Sequence, residues 1–305
     1  MSRHFAGPGP LGRAARTFGT LCTASLVLFF APAPAAPAAE KPSPAATRAE
    51  RIVLPDRGIC AHRGASATHP ENTLAAFREA IRLGAHQIEF DINLTRDGRI
   101  VLMHDLTVDR TTDGHGKVTD LTFDQIRRLD AGRWKGKQFQ GLRVPTLQET
   151  LAIMPLNIWL NVHTKGDARL AEAATREIVR QGRTHQAFLA TGRRTALAAR
   201  HVCPQILICN MERQGHDSRY VADTIAQRDP FIQLLSKPAS PEDMARLEAA
   251  GVRINLFPAK TPDELPALFK AGVDFPLVDD AGPMIEAARR LGIEPLKPVF
   301  PDTRP

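Results

Sequence analysis

Short apolar runs alternate with amphipathic segments along most of the chain. Eight of the runs have the length and residue types of buried strands, and they occupy residues 59–61, 87–92, 157–163, 187–190, 205–209, 231–235, 253–257 and 275–278. The segments between them repeat apolar residues with the period of a helix, and the predicted helices are 72–83, 146–153, 167–180, 194–202, 218–227, 241–250, 262–271 and 283–291. Strands and helices therefore alternate in eight units.

The eight units predict a specific fold class. Strands separated by helices pair in parallel through crossover connections. Eight such units in about 250 residues is the usual size of a (β/α)8 TIM barrel, so the sequence predicts an α/β protein with this barrel. A doubly wound sheet is the competing architecture, but it has fewer strands and usually a glycine-rich phosphate-binding turn, which this sequence lacks.

Residues 94–145 interrupt the alternation after the second strand. The segment begins with the turn Arg96-Asp97-Gly98, which predicts a hairpin into a strand over 100–103, and a short helix over 123–129 follows. An antiparallel hairpin would bring His104 back beside Glu89. We therefore interpret the segment as a small insertion over the barrel mouth, where the active sites of such barrels form.

The first 39 residues have a different character from the barrel units. Three arginines precede the apolar run 18–30, and alanine–proline repeats follow it. This order is typical of a secretory signal peptide, and the run is too short for a comfortable membrane span. We therefore predict a signal peptide at 1–39, a flexible mature N-terminus at 40–55, a barrel domain at 56–300, and export to the periplasm or the medium.

Charge and cysteine content narrow the class of partner. The 305 residues carry a formal net charge of +7, which becomes +4 without the leader, with 37 basic against 33 acidic residues. No lysine- or arginine-rich run resembles a nucleic-acid-binding arm, and the mild positive charge suits a small anionic substrate. The mature chain keeps Cys60, Cys203 and Cys209. This sparse, odd set lacks zinc-site spacing, and we predict no disulfide.

Polar residues directly follow the first predicted strand. His62-Arg63-Gly64 stands at its carboxyl end, and Pro70-Glu71-Asn72-Thr73 precedes the first helix. Such strand ends point into the active site of a TIM barrel, so His62 and Arg63 are candidate site residues. Glu71 is a candidate ion-pair partner that would hold the Arg63 guanidinium rigid for a phosphate. Asn72 is a candidate site residue and, equally, a candidate helix N-cap.

Two further strands present polar residues on one face. Glu89 and Asp91 lie two apart on the second strand, and Asn161, His163 and Lys165 lie two apart on the third. Residues two apart share a face of a strand. Two inward carboxylates are costly without a cation or donors, and a hard divalent cation is their natural partner. His163 is the candidate third metal ligand, and Lys165 is a candidate phosphate contact.

The other histidines and two aromatic residues give weaker signals. His104-Asp105 gains significance from the predicted return of the hairpin to Glu89. Trp134 and Phe257 are candidate cleft-lining residues. The remaining histidines fall in predicted loops and at helix edges and are predicted to be surface residues; they are His69, His86, His115, His185, His201 and His216.

An ordered series of short motifs fills the first two-fifths of the mature chain. Its members are His62-Arg63-Gly64, Pro70-Glu71-Asn72-Thr73, Ala76-Phe77, Gly84-Ala85, Glu89-Phe90-Asp91, Thr95-Arg96-Asp97-Gly98, His104-Asp105, Arg110-Thr111-Thr112, Gly114-His115-Gly116, Val144-Pro145-Thr146-Leu147 and Lys165. This series resembles the glycerophosphodiester phosphodiesterase family of the PLC-like phosphodiesterase superfamily.

The resemblance implies a TIM barrel with a small insertion after the second strand. It also implies hydrolysis of glycerophosphodiesters to sn-glycerol 3-phosphate and an alcohol, assisted by Ca²⁺ or Mg²⁺. In the family's usual scheme, a hydroxyl of the substrate attacks first and forms a cyclic phosphate. By position, the resemblance gives the roles of general base and acid to His62 and His104, of metal ligands to Glu89 and Asp91, and of phosphate contacts to Arg63 and Lys165.

Two stretches depart from the family's pattern. The family's third-strand motif reads Glu-x-Lys, whereas this chain has His163-Thr164-Lys165. A neutral imidazole removes a negative charge and suits Mn²⁺ or Zn²⁺ better than Ca²⁺. On the last two strands, Arg253-Ile254-Asn255-Leu256 and Val278-Asp279-Asp280-Ala281 replace Trp-Thr-x-Asn and Thr-Asp-x-Pro. The missing tryptophan would remove an aromatic wall for the substrate's glycerol.

Three functions therefore compete. The first is hydrolysis of glycerophosphodiesters. In the second, the same machinery acts on lysophospholipid or phosphoinositide headgroups, which exposed apolar residues on the insertion would favour. The third is a non-catalytic phosphate-binding homologue. The presence of both His62 and His104 argues against this third function, because binding alone needs no acid–base pair.

Overall fold

The computed structural model describes residues 52–214 and 217–301. The predicted signal peptide, most of the predicted flexible segment 40–55, and His216 lie outside the described residues, so what we predict for them stays a prediction. Among the helices of the described ranges, none combines the length and the apolar character that a membrane crossing requires.

The described residues contain nine strands in one sheet, and eight of the strands close into a parallel barrel. The strands are β1 (Cys60–His62), β2 (Gln87–Leu94), β3 (Ile100–Leu102), β4 (Trp159–Thr164), β5 (Ala187–Thr191), β6 (Leu207–Asn210), β7 (Phe231–Leu235), β8 (Arg253–Phe257) and β9 (Phe275–Val278). β1 pairs with both β2 and β9, which closes the barrel. β3 runs antiparallel along the end of β2. The predicted (β/α)8 barrel with an insertion after the second strand is confirmed.

Helices connect the strands. Within the described ranges they are α1 (Leu74–Leu83), α2 (Phe123–Arg127), α3 (Leu147–Ile153), α4 (Ala168–Arg180), α5 (Arg193–Val202), α6 (Ser218–Ala226), α7 (Pro241–Ala249), α8 (Leu265–Lys270) and α9 (Ala281–Arg290). Most boundaries lie close to the predicted ones. α8 begins later than predicted, because Pro266 has no N–H and is tolerated only in the first turn of a helix.

The alternation of residues along the strands separates two parts of the core. Outward-facing residues such as Ile88 and Phe90 belong to a large cluster with the helices. Inward-facing aromatic residues near the amino ends of the strands fill the bottom of the barrel, where the rings of Phe188 and Phe231 stack with centroids 4.0 Å apart. This packing fixes the strands whose opposite, carboxyl ends present the polar residues.

The insertion has an apolar core of its own. Its buried residues are Val101, Met103, Val108, Val118, Ile126, Ala131 and Val144. β3 pairs with β2 in the register Ile92 opposite Leu102, and the N–H of Met103 donates to the carbonyl of Asp91 at 3.1 Å. The hairpin therefore returns the chain to the level of Asp91 immediately before His104, in the direction that the sequence predicts.

Polar contacts hold the insertion against the barrel. Nδ2 of Asn93 donates to the carbonyls of Met103 and Asp105 at 3.1 and 3.2 Å, which anchors the return of the hairpin to β2. Nζ of Lys135 donates to the carbonyl of Ser66 at 2.7 Å, in the loop after β1. The insertion is thus fixed at two separate points close to the barrel mouth.

One prediction about histidines is wrong. His86 is buried rather than exposed: its Nδ1 accepts from the N–H of Ile59 at 3.2 Å, and its Nε2 lies 2.9 Å from the carbonyl of Glu294. Burial lowers the pKa of His86. The His86 ring thus contacts the backbone of two segments that are distant in sequence. The sequence pattern around His86 does not reveal these contacts, because only the folded chain brings the segments together. Cys60, Cys203 and Cys209 are free thiols.

Candidate active site

His62 ends β1, at the carboxyl end of the barrel. Its Nδ1 lies 2.7 Å from Oδ1 of Asp279, and its Nε2 lies 4.0 Å from Oε2 of Glu89. The hydrogen bond from His62 lowers the pKa of Asp279 more than partial burial raises it. Because an ionised carboxylate only accepts hydrogen bonds, Nδ1 of His62 holds the proton and Nε2 is left to act on a ligand. Phe257 packs on the ring, with centroids 4.3 Å apart.

The loop after β1 has a strained backbone. Arg63 and Asn72 both have a φ of 56°, in the left-handed region that residues other than glycine rarely adopt. The N–H of Asn72 donates to the carbonyl of Arg63 at 3.1 Å and closes the loop. A Cβ on Gly64, whose φ is 81°, would lie 2.8 Å from the backbone of Ala76, so this position requires glycine. Strain of this kind clusters at functional sites.

Glu89 and Asp91 are almost completely buried on the inward face of β2, with exposed fractions of 3% and 0%. The loop after β1 holds both carboxylates. The N–H of Arg63 donates to Oε2 of Glu89 at 3.0 Å, and Asn72 donates Nδ2 to Oδ2 of Asp91 at 2.9 Å. Asn72 also accepts from the N–H of Asp91 at 3.0 Å. The N-cap alternative for Asn72 is therefore wrong, and Thr73 caps α1 instead.

His163, on β4, approaches both carboxylates, and Lys165, directly after β4, approaches Asp91. The register places Asp91 opposite His163, and Nδ1 of His163 lies 3.1 Å from Oδ1 of Asp91 and 3.6 Å from Oε1 of Glu89. Nζ of Lys165 lies 3.2 Å from Oδ1 of Asp91. Nε of Arg63 lies 3.5 Å from Oδ2 of the same carboxylate. The predicted metal ligands and phosphate contacts therefore converge on Asp91.

The protonation states in this cluster depend on one another. Burial by itself raises the pKa of Asp91, but His163, Lys165 and Arg63 outweigh it and hold the pKa below its ordinary value. Burial by itself also lowers the pKa of His163, but Asp91 and Glu89 outweigh it and raise that pKa. The same contact between Asp91 and His163 therefore lowers the pKa of the acid and raises the pKa of the histidine.

Glu89, Asp91 and His163 can hold a metal ion. One ligand atom from each residue lies within 4.8 Å of the other two, which is compatible with metal–ligand distances of roughly 2.0–2.6 Å. Oδ1 of Asp91 is buried, and no donor in the described part of the chain reaches it with hydrogen-bond geometry. Two carboxylates also balance the charge of a divalent cation. The donors present therefore fit the cation that the sequence predicts.

His104 joins the cluster through a chain of ion pairs. Its Nδ1 lies 2.7 Å from Oδ1 of Asp105, Asp105 accepts from Arg110, and Arg110 also binds Glu71. Glu71 in turn accepts from Nη1 of Arg63 at 2.8 Å, so the predicted pairing of these two residues is confirmed. His104 and Glu71 also line one narrow pocket. The candidates for catalysis, metal binding and substrate binding thus all belong to one network of contacts. They are His62, Arg63, Glu71, Asn72, Glu89, Asp91, His104, His163 and Lys165.

Asp279 and Arg110 belong to this network but are not among the site residues that the sequence predicts. Asp279 directly follows β9, so the strand-end argument that selected His62 would have identified it as well. Arg110 lies in an irregular part of the insertion, and no sequence period relates it to Glu71. Trp134 lies on the insertion and is partly exposed, and its place in a substrate cleft stays a prediction.

The chain is similar in sequence to known proteins. Residues 62–259 match the glycerophosphoryl diester phosphodiesterase family. The glycerophosphodiester phosphodiesterase of Caldanaerobacter subterraneus is 29% identical over 245 residues, which cover 77% of this chain and 98% of that protein. YhdW of Bacillus subtilis is 50% identical over 108 residues, covering 35% of this chain and 44% of that protein. Mouse glycerophosphodiester phosphodiesterase 1 is 46% identical over 136 residues, covering 43% and 41%. The chain thus matches less than half the length of the last two relatives.

Solved structures share the fold over most of its length. A phosphodiesterase of Oleispira antarctica, in complex with the product sn-glycerol-3-phosphate, superposes with a TM-score of 0.68 at 24% identity, covering 77% of this chain and 97% of that chain. A glycerophosphodiester phosphodiesterase of Agrobacterium tumefaciens gives a TM-score of 0.64 at 24% identity, covering 76% and 99%. At 24% sequence identity, these superpositions show that the barrel fold is shared.

Proposed function

The chain belongs to the glycerophosphoryl diester phosphodiesterase family, and from this premise we propose that it hydrolyses glycerophosphodiesters to sn-glycerol 3-phosphate and an alcohol. One observation supports the proposal above all. Two histidines, each with its Nδ1 against a carboxylate, belong to the same contact network as buried acids and two cationic side chains. Binding a phosphate would need the cations, but it would not need two oriented histidines.

Arg63 and Lys165 would bind the phosphate of the substrate. Negative charge grows on the phosphoryl oxygens as attack proceeds, and preorganised cations lower that barrier. Glu71 aligns the Arg63 guanidinium through an ion pair of 2.8 Å. When bound to Glu89, Asp91 and His163, a divalent cation would supply further stabilisation of this charge. We infer that Mn²⁺ or Zn²⁺ suits the set better than Ca²⁺, because imidazole replaces one carboxylate.

His62 and His104 would act as base and acid. Asp279 binds Nδ1 of His62. Nε2 of His62 would therefore take the proton from the attacking hydroxyl, which belongs either to the substrate's glycerol or to water. Asp105 binds Nδ1 of His104. Nε2 of His104 would therefore give a proton to the oxygen of the leaving alcohol. The two residues exchange roles if water then opens a cyclic phosphate.

A substrate screen tests the proposed function. The purified protein is first treated with a chelator, and Ca²⁺, Mg²⁺, Mn²⁺ and Zn²⁺ are then added back singly. Glycerophosphocholine, glycerophosphoethanolamine and glycerophosphoglycerol are the substrates, and release of sn-glycerol 3-phosphate is the measured quantity. We expect release from at least one of the three. No release with any substrate under any metal would contradict the proposal.

Exposed apolar residues favour lysophospholipids as a second class of substrate. On the insertion, Leu106 is 64% exposed and Trp134 is 39% exposed. Leu106 follows Asp105 directly, so an acyl chain would find apolar surface close to the proposed acid. Lysophosphatidylcholine therefore enters the same screen, with release of choline as the measured quantity for this lipid and for glycerophosphocholine, because the other product of the lipid is an acylated glycerol phosphate. Faster turnover of this lipid than of glycerophosphocholine would favour the second class.

Asp279→Asn is expected to lower kcat about tenfold or more with little change in KM. A neutral amide holds the His62 tautomer less firmly and does not stabilise the imidazolium that forms when Nε2 accepts a proton. Asp280→Asn is the matched control, because Asp280 is the neighbouring exposed acid and its side chain does not cap α9. Steady-state kinetics of both variants give the measurement. Equal kcat values for the two variants would contradict the role of Asp279.

A further inference from the structure

Arg110 binds two carboxylates that come from different parts of the fold. Its Nη1 and Nη2 donate to Oε2 and Oε1 of Glu71, both at 2.8 Å, in the loop that precedes α1. Its Nε and Nη2 donate to Oδ2 and Oδ1 of Asp105 at 2.7 and 3.1 Å, on the insertion. Both pairs are bidentate, and bidentate pairs fix geometry as well as charge.

Each of these carboxylates has a second partner in the proposed active site. Oε1 of Glu71 also accepts from Nη1 of Arg63 at 2.8 Å, and Oδ1 of Asp105 lies 2.7 Å from Nδ1 of His104. Arg110 is therefore one residue removed from the proposed phosphate contact on one side and from the proposed acid on the other. A shift of its guanidinium would be transmitted to the His104 ring through Asp105.

Arg110 also keeps both acids ionised. Its hydrogen bonds are the largest cause that lowers the pKa of Asp105 to about 2. Burial by itself raises the pKa of Glu71, but Arg110 and Arg63 outweigh it and lower that pKa. Without the guanidinium, Asp105 would lose two charge-assisted hydrogen bonds and would turn toward water. The ring of His104 would then lose the acceptor that orients it.

We propose that Arg110 is a positioning residue for the general acid: it binds Glu71 and Asp105 together and thereby fixes the ring of His104 from which the leaving alcohol receives its proton. This inference rests on the proposed diesterase function. When Arg110 is replaced, Glu71 keeps its own ion pair with Arg63, whereas Asp105 loses both of its hydrogen bonds from arginine. The loss therefore affects proton delivery more than substrate binding. The effect should therefore depend on how much the leaving group needs a proton.

Two substrates with different leaving groups test this dependence. Glycerophosphocholine releases an alkoxide that must be protonated, whereas the p-nitrophenyl ester of glycerol phosphate releases a stable phenolate. We expect Arg110→Met to lower kcat on glycerophosphocholine about tenfold or more, a part of the 10²–10⁴ that a general acid contributes. On the p-nitrophenyl ester the loss should stay below about twofold. KM should change little for either substrate.

A double-mutant cycle separates positioning from a merely structural role. If Arg110 acts through His104, Arg110→Met causes no further loss on glycerophosphocholine once His104→Ala is present. Arg128→Met is the matched control, because Arg128 is an exposed arginine of the insertion. Arg110→Lys keeps the charge but cannot form two bidentate pairs, so it should show the same selectivity with a smaller loss. This variant also tests the inference if Arg110→Met does not fold.

The outcomes distinguish this inference from the proposed function. A wild type that hydrolyses both substrates, combined with equal losses on both in the Arg110 variants, overturns the inference and leaves the function intact. The inference is also overturned, and the function left intact, if Arg110→Met leaves kcat on glycerophosphocholine unchanged. The same conclusion follows if Arg110→Met causes its full loss in the His104→Ala background. A wild type that hydrolyses neither substrate overturns the proposed function, and the inference falls with it.

Discussion

His62→Ala and His104→Ala are each expected to lower kcat on glycerophosphodiesters by about a hundredfold or more, since one general acid or base contributes roughly 10²–10⁴ to the rate. The fold should persist in both variants. His62 ends its strand, and His104 lies beyond the end of β3, so neither ring builds the apolar core. Steady-state kinetics and circular dichroism of the two variants give the measurement.

The leaving group distinguishes the two histidines. On the p-nitrophenyl ester, His104→Ala should recover most of the wild-type kcat, because a phenolate leaves without a proton. His62→Ala should stay impaired, because the attacking hydroxyl still needs a base. His115→Ala is the control, since the His115 side chain is 87% exposed on the same insertion. Near-normal turnover of glycerophosphocholine by either variant would remove this mechanism.

Removal of divalent cations by a chelator is expected to lower kcat at least about a hundredfold. A Lewis acid contributes several kcal/mol of charge stabilisation, and each 1.4 kcal/mol corresponds to about tenfold in rate. Adding back single metals should restore activity, with Mn²⁺ or Zn²⁺ restoring more than Ca²⁺. Activity that persists after exhaustive chelation would contradict the dependence on metal.

His163→Glu tests which side chains hold the cation. A third carboxylate makes the donor set more negative and harder, so activity with Ca²⁺ or Mg²⁺ should rise relative to activity with Mn²⁺. A structure with the metal bound gives a direct answer. A cation held by Glu89 and Asp91 with His163 more than about 4 Å away would exceed any metal–nitrogen bond, and His163 would then be a substrate contact or a support.

Proton release gives an independent measurement of the same site. Asp91 and Glu89 raise the pKa of His163, whereas a metal ligand must be a neutral imidazole. Cation binding should therefore release a proton, and affinity should fall as the pH drops below that raised pKa. Calorimetry of Mn²⁺ binding in buffers of different ionisation enthalpy measures the released proton. The effect should disappear in His163→Gln.

The fold could be predicted because its determinants are local. The predicted strands 231–235, 253–257 and 275–278 coincide with β7, β8 and β9. Each is a short apolar run between turn-forming residues, and this pattern can be recognised from the local sequence alone. The inward direction of Glu89, Asp91 and His163 also follows from the local two-residue period, so the metal-ligand candidates were accessible from sequence.

The remaining features depend on contacts between distant segments. Asn72 looks like a helix cap until Asp91 approaches its amide. Arg110 looks like a loop arginine until the insertion folds back on Glu71. Local sequence predicts a role for each of these residues in the helix or loop where it lies, whereas its contact in the folded protein is with a distant segment. Such residues lie at the site itself, where local preference and function differ most.

The proposed base and the proposed acid lie in parts of the fold with different apolar clusters. His62 belongs to a barrel whose strands depend on closure, whereas His104 belongs to a segment with its own buried cluster. Proteins open locally in cooperative segments that often coincide with supersecondary motifs. A local opening of the insertion would withdraw the proposed acid while the carboxylates of β2 stay in place. Substitutions confined to the insertion would then alter proton delivery to the leaving group without altering the barrel strands.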